Sequence, residues 1–332
     1  MTTAVSAGGL VKTFGAVRAV DGIDLDIGQG EIFGVLGPNG AGKTTMLRML
    51  ATLLSIDAGE ARIFGVDVRR EPHRIRQLVG VTGQYASVDE NLTGRENLWL
   101  FGRLQGLGAR RARATALELL ERFGLRDAAD KRISQYSGGM RRRLDLAASL
   151  ITRPPLIFLD EPTTGLDPRT RGQMWDTIRD LVASGCTVLL TTQYLDEADQ
   201  LADRIAVIDR GRKVAEGTPD ELKSSVGAST LRLRLSPGAD RSLAVDVVRR
   251  QLGEEPVLSP ESGRMNVALD NADRAADVLI ALRQAGIGVA SVSVEAPTLD
   301  EVFLALTGHD TADAAQGPAD RSEYQETMGA AR

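Results

Sequence analysis

The chain has 332 residues, of which 42% are hydrophobic, 26% charged and 4% aromatic, and these globular proportions exclude a wholly disordered, collagenous or coiled-coil protein. Forty Lys and Arg against 45 Asp and Glu give a formal net charge of -5, which argues against a binding surface for nucleic acid that covers the whole protein. One cysteine excludes an internal disulfide framework, and two histidines are too few for a Cys/His zinc cluster.

The N-terminal segment and the apolar runs bear on the compartment. Residues Met1 to Ser6 lack a basic stretch followed by an apolar core, so no secretory signal is expected there. No apolar run approaches the ~18 residues that cross a bilayer. We therefore expect a protein of the reducing cytoplasm with no direct membrane span, which reaches a membrane only through a partner.

Strands and helices alternate over the first two-thirds of the chain. Apolar alternation predicts a strand over 23–27, and a second strand over 31–36 runs straight into a glycine-rich turn. Helical spacing follows over 110–122 and 174–182, and short apolar runs at 156–159 and 188–191 predict buried strands. This order predicts a parallel α/β sheet that a helical insertion, between Gln84 and Pro155, divides in sequence.

A second unit follows Gly217-Thr218-Pro219. Alternation over 231–235, 265–269 and 292–294 predicts strands, and helical faces occur over 243–252 and 275–282. With a short strand at 256–258 the order is β-α-β-β-α-β, which predicts a small ferredoxin-like α+β domain. The last stretch is polar and without periodicity, so we interpret 309–332 as a disordered tail.

The glycine-rich turn matches the pattern G-x-x-x-x-G-K-[ST]. Its residues are Gly37, Pro38, Asn39, Gly40, Ala41, Gly42, Lys43 and Thr44. Glycines let the backbone wrap around a phosphate chain, and the helix that follows presents its N–H groups and positive end. Lys43 can reach the β- and γ-phosphates, and the Thr44 hydroxyl can ligate Mg²⁺. A glycine-rich turn that merely precedes a lysine is the alternative, and the flanking strand and helix disfavour it.

An acidic pair ends the later apolar strand. Asp160 would hold Mg²⁺, directly or through water, and Glu161 could accept a proton from the attacking water. Between this pair and the loop, Ser137-Gly138-Gly139 begins a predicted helix through Leu150. Ser137 is either a phosphate ligand or a plain helix N-cap, and both interpretations stay open.

Together these segments resemble the nucleotide-binding subunit of an ABC transporter. The resemblance covers about two-thirds of the chain through Walker A (37–45, with Thr45), a Q-loop at Gln84, the signature Ser137-Gly138-Gly139-Met140, Walker B ending in Asp160-Glu161, and a D-loop at Gly165-Leu166-Asp167. It implies ATP and Mg²⁺ as cofactors, Phe14 as the aromatic that stacks on adenine, and Gln84 as a contact of Mg²⁺ or water. It also implies a homodimer in which Ser137 and Gly139 complete the partner's ATP site, and it places Gly138 and Asp167 among the nucleotide-binding residues.

One branch of that family, the daunorubicin-resistance type of drug exporter, is especially similar. Sequence motifs typical of that branch occur at 136–147, 191–199 and 297–304. The switch position, usually His in the family, is Gln193, and the fifth signature residue is Met140 rather than Gln. A glutamine amide can sense the γ-phosphate but cannot titrate, so proton removal would be left to Glu161.

The resemblance predicts an ATPase domain over 1–222 with a helical subdomain at about 85–155, and a small regulatory or dimerisation domain over 223–308. The predicted function is ATP hydrolysis that drives efflux of a hydrophobic drug or antibiotic through a separate membrane permease, at the cytoplasmic face of the membrane and without nucleic acid. A non-transport ATPase that acts on DNA or ribosomes is disfavoured by the single Walker A and the adjacent ATPase halves. An importer subunit would hydrolyse ATP by the same chemistry, and only the motifs of the exporter branch disfavour this alternative.

Plain structural roles are expected for several other residues. Cys186 reads as a small core residue, and Trp99 and Trp175 as packing residues. The run Arg141-Arg142-Arg143 predicts a solvated helix face, and a salt bridge across a subunit contact is the alternative. The segment 299–306 reads as a terminal amphipathic helix whose contacts the sequence leaves open.

Overall fold

The computed structural model describes residues 2–83, 88–226, 229–259, 264–269, 271, 273–295 and 297–308. The predicted Q-loop residue Gln84 and the predicted tail, 309–332, lie outside this described part. The described chain forms two compact units, 2–219 and Asp220–Gly308. Their hydrophobic clusters share no residue.

The first unit contains ten strands. They are β1 (Thr3–Phe14), β2 (Val17–Gly28), β3 (Ile32–Leu36), β4 (Ala58–Ile63), β5 (Val66–Asp67), β6 (Val79–Thr82), β7 (Leu156–Asp160), β8 (Thr187–Thr192), β9 (Arg204–Asp209) and β10 (Arg212–Gly217). Its helices are α1 (Lys43–Leu50), α2 (Pro72–Leu78), α3 (Gly94–Leu104), α4 (Ala109–Arg122), α5 (Gly138–Ser149), α6 (Pro168–Ala183) and α7 (Leu195–Leu201), and α8 (Pro219–Val226) begins at the boundary of the units.

A six-stranded sheet carries the predicted motifs. Its order is β10-β9-β3-β8-β7-β6, with β9, β3, β8, β7 and β6 parallel and β10 antiparallel at the edge. All residues of β3, β7 and β8 are buried, as continuous apolar strands of a covered parallel sheet should be. The predicted parallel α/β sheet is confirmed.

A second sheet of the same unit is antiparallel, in the order β2-β1-β4-β5. The sequence indicated only the 23–27 part of β2. Register shifts interrupt the pairing of β1 with β2, and Gly9 lies in the left-handed region at φ 58°. Such irregularities break the period of two, which is why the pattern of β1 did not predict a strand.

Three helices, α3, α4 and α5, are inserted between β6 and β7. Their apolar faces share one buried cluster, to which Leu98, Leu120 and Leu144 contribute. Thr93 and Glu96 form a capping box at the start of α3, where the Thr93 N–H donates to Glu96 Oε2 at 2.8 Å and Glu96 N–H donates to Thr93 Oγ1 at 3.2 Å. The predicted helical insertion is thus present.

The second unit is the predicted βαββαβ arrangement. Its elements are β11 (Ser229–Leu235), α9 (Arg241–Leu252), β12 (Val257–Ser259), β13 (Arg264–Leu269), α10 (Arg274–Gln284), β14 (Val289–Glu295) and α11 (Leu299–Thr307). The antiparallel sheet has the order β12-β13-β11-β14, which is that of a ferredoxin-like domain. Alternate residues of β11 and β13 pack with α9 and α10 in one core.

Within the described residues, none of the helices is both long enough and apolar enough to cross a membrane.

Candidate functional site

The glycine-rich loop leads from β3 into α1. A Cβ at Gly37 would lie 2.2 Å from the carbonyl oxygen of Ile208, and one at Gly42 would lie 2.2 Å from that of Ala19. Gly42 also has φ 103°, so both positions require glycine. α1 begins at Lys43, and the N–H groups of its first turn have no intrahelical acceptor. The start of α1 therefore presents backbone N–H donors next to the loop, as an anion site needs.

Lys43 places a buried ammonium group under this loop. Lys43 is only 4% exposed. Its Nζ atom donates hydrogen bonds to the carbonyl oxygens of Gly37 at 2.8 Å and Pro38 at 3.1 Å. The Glu161 Oε1 atom lies 3.6 Å from Nζ. Burial lowers the pKa of Lys43, and the nearby charges of Glu161 and Asp160 oppose that shift.

Asp160 ends β7 and joins three elements through one carboxylate oxygen. Its Oδ1 atom accepts hydrogen bonds from Thr44 Oγ1 at 2.9 Å and from Thr191 Oγ1 at 2.7 Å. Thr44 is in α1 and Thr191 is in β8. The Thr44 hydroxyl and the Asp160 carboxylate are hard oxygen donors, which is the set that Mg²⁺ prefers, so the residues present fit that ion. Sequence reasoning missed the role of Thr191, because that role depends on the pairing of β7 with β8.

Glu161 follows directly and has an unusual backbone. Its φ is 48°, and its N–H donates to the Thr191 carbonyl oxygen at 3.1 Å. The Thr164 hydroxyl donates to Glu161 Oε2 at 3.3 Å, and Oε1 faces Lys43. A glutamate in the left-handed region costs conformational energy, which neighbouring contacts must offset.

A cavity of about 310 Å³ lies over the loop. It is lined by Phe14, Ala19, Asn39, Gly40, Ala41, Gly42, Lys43, Thr44, Thr45 and Glu161. Phe14 is 48% exposed, so part of its ring is accessible to a flat ligand. The structure thus brings the predicted aromatic, most of the loop and the predicted base to one cavity.

Other predicted site residues lie outside that lining. Gln193 directly follows β8. Ser137 is the N-cap of α5, where its hydroxyl oxygen accepts from the Met140 N–H at 3.3 Å, and Gly138 and Gly139 form the first turn. Asp167 caps α6 by accepting a hydrogen bond from the Thr170 N–H at 3.0 Å. Hydrogen bonds from the hydroxyl and the N–H of Thr170 lower the pKa of the Asp167 carboxyl.

The expectation for the arginine run was wrong at one position. Arg141 forms a surface ion pair with Glu90 at 2.8 Å, and Arg143 donates to the Phe123 carbonyl oxygen at 3.2 Å. The Arg142 side chain is only 12% exposed and points to the carboxyl end of β7. A solvated face does not describe it, because successive residues of a helix point in directions about 100° apart.

Cys186 and the tryptophans were assigned structural roles. Cys186 is buried, and burial raises the pKa of its thiol to about 11. Trp175 packs against the cluster of the helical insertion and donates from Nε1 to Glu197 Oε1 at 3.3 Å. Trp99 is partly exposed. Among the described residues no group of three or more His, Cys, Asp or Glu could hold a metal ion.

With the loop and the acidic pair at the carboxyl edge of a parallel sheet, and helices inserted before β7, this unit has the architecture of an ATP-binding cassette. The family profile described as "ABC transporter" matches residues 20–164, and the profile described as "ATP-binding protein DrrA1-3-like, C-terminal domain" matches 217–307. The structure resembles the ATP-binding cassette MJ0796, solved as a dimer in a post-hydrolysis state with ADP and Pi, with a TM-score of 0.59 and 28% identity over 64% of this chain and 98% of that one.

Curated relatives extend the match to nearly the whole chain. The daunorubicin/doxorubicin resistance ATP-binding protein DrrA of Streptomyces peucetius is 55% identical over 94% of each chain. The doxorubicin resistance ATP-binding protein DrrA of Mycobacterium tuberculosis is 44% identical over 93% of this chain and 95% of that one. The chain belongs to the DrrA family of ABC transporter ATP-binding proteins. The predicted family and the ATPase class are confirmed, and neither the non-transport nor the importer alternative finds support.

Proposed function

We propose that this chain binds and hydrolyses ATP with Mg²⁺ at the cavity over the glycine-rich loop and thereby drives efflux of a hydrophobic drug. The observation that carries the proposal is the convergence of Lys43, Thr44, Asp160 and Glu161 at the end of one loop. ATP supplies the phosphoric anhydride that is cleaved, and Mg²⁺ neutralises charge on the phosphates. The residues of this chain bind and orient the nucleotide or exchange protons with it and with water.

Binding falls to the loop and Phe14. The open N–H groups at the start of α1 and the ammonium of Lys43 would hold the phosphates, with Gly37 to Thr45 forming the cradle. Thr44 and Asp160 would ligate the metal ion, and the Thr191 hydrogen bond fixes the carboxylate that does so. Phe14 would stack on adenine at the mouth of the cavity.

Hydrolysis needs a group that accepts a proton from water, and Glu161 is the candidate. It is the carboxylate among the residues that line the cavity, and its Oε1 atom lies 3.6 Å from Lys43 Nζ. Gln193, at the end of the neighbouring strand, would contact the γ-phosphate through its amide without taking up a proton. We retain Gln84 as a contact of the metal or water from the motif resemblance alone.

The signature residues would act on a second copy. Ser137, Gly138 and Gly139 open α5 outside the lining of their own cavity, as does Asp167 at α6. We therefore propose a homodimer in which these residues complete the partner's ATP site. The dimeric MJ0796 cassette supports this arrangement by its fold.

Our proposals for the transported substrate and for the partner rest on the relatives. Both DrrA proteins are named for resistance to doxorubicin or daunorubicin, so we propose an anthracycline-like, hydrophobic polycyclic drug as cargo. A separate membrane permease would carry it, and this chain would sit against the permease at the cytoplasmic face.

Drug uptake into inside-out vesicles tests the proposal. Vesicles that contain the co-encoded permease and this chain should accumulate doxorubicin when ATP is added, and Lys43→Ala should abolish the accumulation. An ATPase that hydrolyses normally but neither moves the drug nor responds to the permease, or one that DNA or ribosomes stimulate instead, would overturn the transport proposal.

A further inference from the structure

One largely buried guanidinium group contacts the backbone of the acidic pair. Arg142 is the fifth residue of α5, and its side chain crosses from the helical insertion to the parallel sheet. A buried arginine has lost its hydration and needs an acceptor for each donor. Its acceptors therefore show what it is built to hold.

Arg142 donates to four backbone carbonyl groups. Nη2 donates to the carbonyl oxygens of Asp160 at 2.8 Å and Glu161 at 3.0 Å, and Nε donates to that of Pro162 at 3.0 Å. Nη1 donates to the carbonyl oxygen of Gly83, one residue after β6. Three consecutive peptide groups at the end of β7 are thus bound to one side chain.

These three peptide groups include the strained one. Glu161 has its φ at 48°, and among the described residues its carboxylate is held by Thr164 at 3.3 Å and by Lys43 at 3.6 Å. Those side-chain contacts are long, so the direction of the carboxylate depends on its backbone. Hydrogen bonds from a charged donor are stronger than those from a neutral one, so the bonds from Arg142 to these carbonyl oxygens restrain that backbone strongly.

The charges around Arg142 fit the same role. Asp145 Oδ2 lies 4.0 Å from Nη1, and the charges of Asp160, Glu161 and Glu197 also act on the guanidinium. Burial lowers the pKa of Arg142, while these four carboxylates oppose the shift. The group stays charged, as arginine does in proteins, and keeps its five donors.

We infer that Arg142 is a positioning residue for ATP hydrolysis, which holds the 160–162 backbone so that the Glu161 carboxylate faces the attacking water. The inference rests on the proposed function, since it needs Glu161 to act on that water. Only a planar fork of donors reaches four separate carbonyls, so lysine, with one nitrogen, keeps the charge but loses the geometry.

The test compares Arg142→Lys with Arg143→Lys. Arg143 is the next residue of the same helix and donates to the Phe123 carbonyl oxygen, away from the site. Arg142→Lys should lower kcat at least about tenfold and leave KM for ATP within about twofold, while Arg143→Lys should change neither by more than about twofold. A rise in KM alone, or an unchanged kcat, would overturn the inference. Should Arg142→Lys fail to fold by circular dichroism, Arg142→Gln is measured for the same separation of kcat from KM.

A double-mutant cycle with Glu161→Gln separates positioning from general stability. Single-turnover hydrolysis of labelled ATP, followed for hours, measures the slow variants. If Arg142 acts through Glu161, Arg142→Lys should lower hydrolysis by less than about twofold in the Glu161→Gln background. The same fold-loss in both backgrounds would overturn the inference and leave the proposed function intact. Normal hydrolysis by Glu161→Gln would instead refute the catalytic assignment itself, and the inference with it.

Discussion

At the scale of single residues, Glu197 is a buried carboxyl group of the ATP-binding unit. Glu197 on α7 is fully buried and accepts a hydrogen bond from Trp175 Nε1. Burial raises the pKa of its carboxyl, and the hydrogen bond from Trp175 is among the contacts that oppose the shift. Burial is the larger effect, so folding shifts the equilibrium of the Glu197 carboxyl towards its neutral form relative to the unfolded chain.

This shift predicts how Glu197→Gln alters stability with pH. A carboxyl whose folded pKa exceeds its unfolded value contributes stability below the unfolded value, 4.5, and loses it as pH rises through the folded pKa. Glutamine keeps the shape without a charge to desolvate. The free energy of unfolding of Glu197→Gln should therefore gain on that of the parent as pH rises from about 5 to about 8. Urea unfolding of both proteins measures this difference, and a difference that stays constant or shrinks would contradict the prediction.

Residues whose roles depend on nearby sequence could be predicted, and those that act across the sheet could not. The loop around Lys43 is local, because strand, glycines and helix follow one another directly. Arg142 meets Gly83 from 59 residues away, and Thr191 meets Asp160 from 31 residues away. Neither contact leaves a periodic signal, so a run of arginines looked like a solvated face.

At the scale of elements, irregular strands limited what the sequence could predict. Buried strands β3, β7 and β8 are short apolar runs and were predicted almost to their ends. β4 carries three exposed residues in a row, and β1 has broken register, so neither gave alternation. The antiparallel sheet was therefore not predicted, although the motifs on the parallel sheet were found.

The capping box of α3 gives a prediction at this scale. Thr93→Ala removes the side-chain acceptor for the Glu96 N–H, and such changes cost about 0.5–2 kcal/mol. Thr177→Ala in the middle of α6, where the hydroxyl donates to the Gln173 carbonyl oxygen, is the control and should cost less. Urea midpoints of both variants measure the loss. Equal losses, or none for Thr93→Ala, would show that the cap does not stabilise the helix.

At the scale of the whole molecule, the chain combines two units with separate cores. The ATP-binding unit contains two hydrophobic clusters, and the ferredoxin-like unit contains one of its own. Separate cores allow one unit to lose stability without the other. The βαββαβ order was predictable because its strands alternate regularly, as Leu231, Leu233 and Leu235 do.

Leu231→Ala tests this independence. Leu231 is fully buried in the core of the second unit, and such truncations cost about 2–5 kcal/mol. Hydrogen exchange should lose protection across β11, α9, β13, α10 and β14, while the affinity for ATP stays within about twofold of the parent. Leu243→Ala, at an exposed position of α9, is the control and should have a smaller effect. An equal loss of protection in β3 and β7 would show instead that the units unfold together.

The central claim is that Glu161 accepts the proton in ATP hydrolysis. Its most direct test is ATP turnover and ATP binding by purified Glu161→Gln, beside the parent and the exposed control Glu118→Gln. We predict that Glu161→Gln binds ATP with an affinity within about threefold of the parent and hydrolyses it at least about 100-fold more slowly, whereas Glu118→Gln matches the parent. Turnover by Glu161→Gln at the parent's rate would contradict the claim.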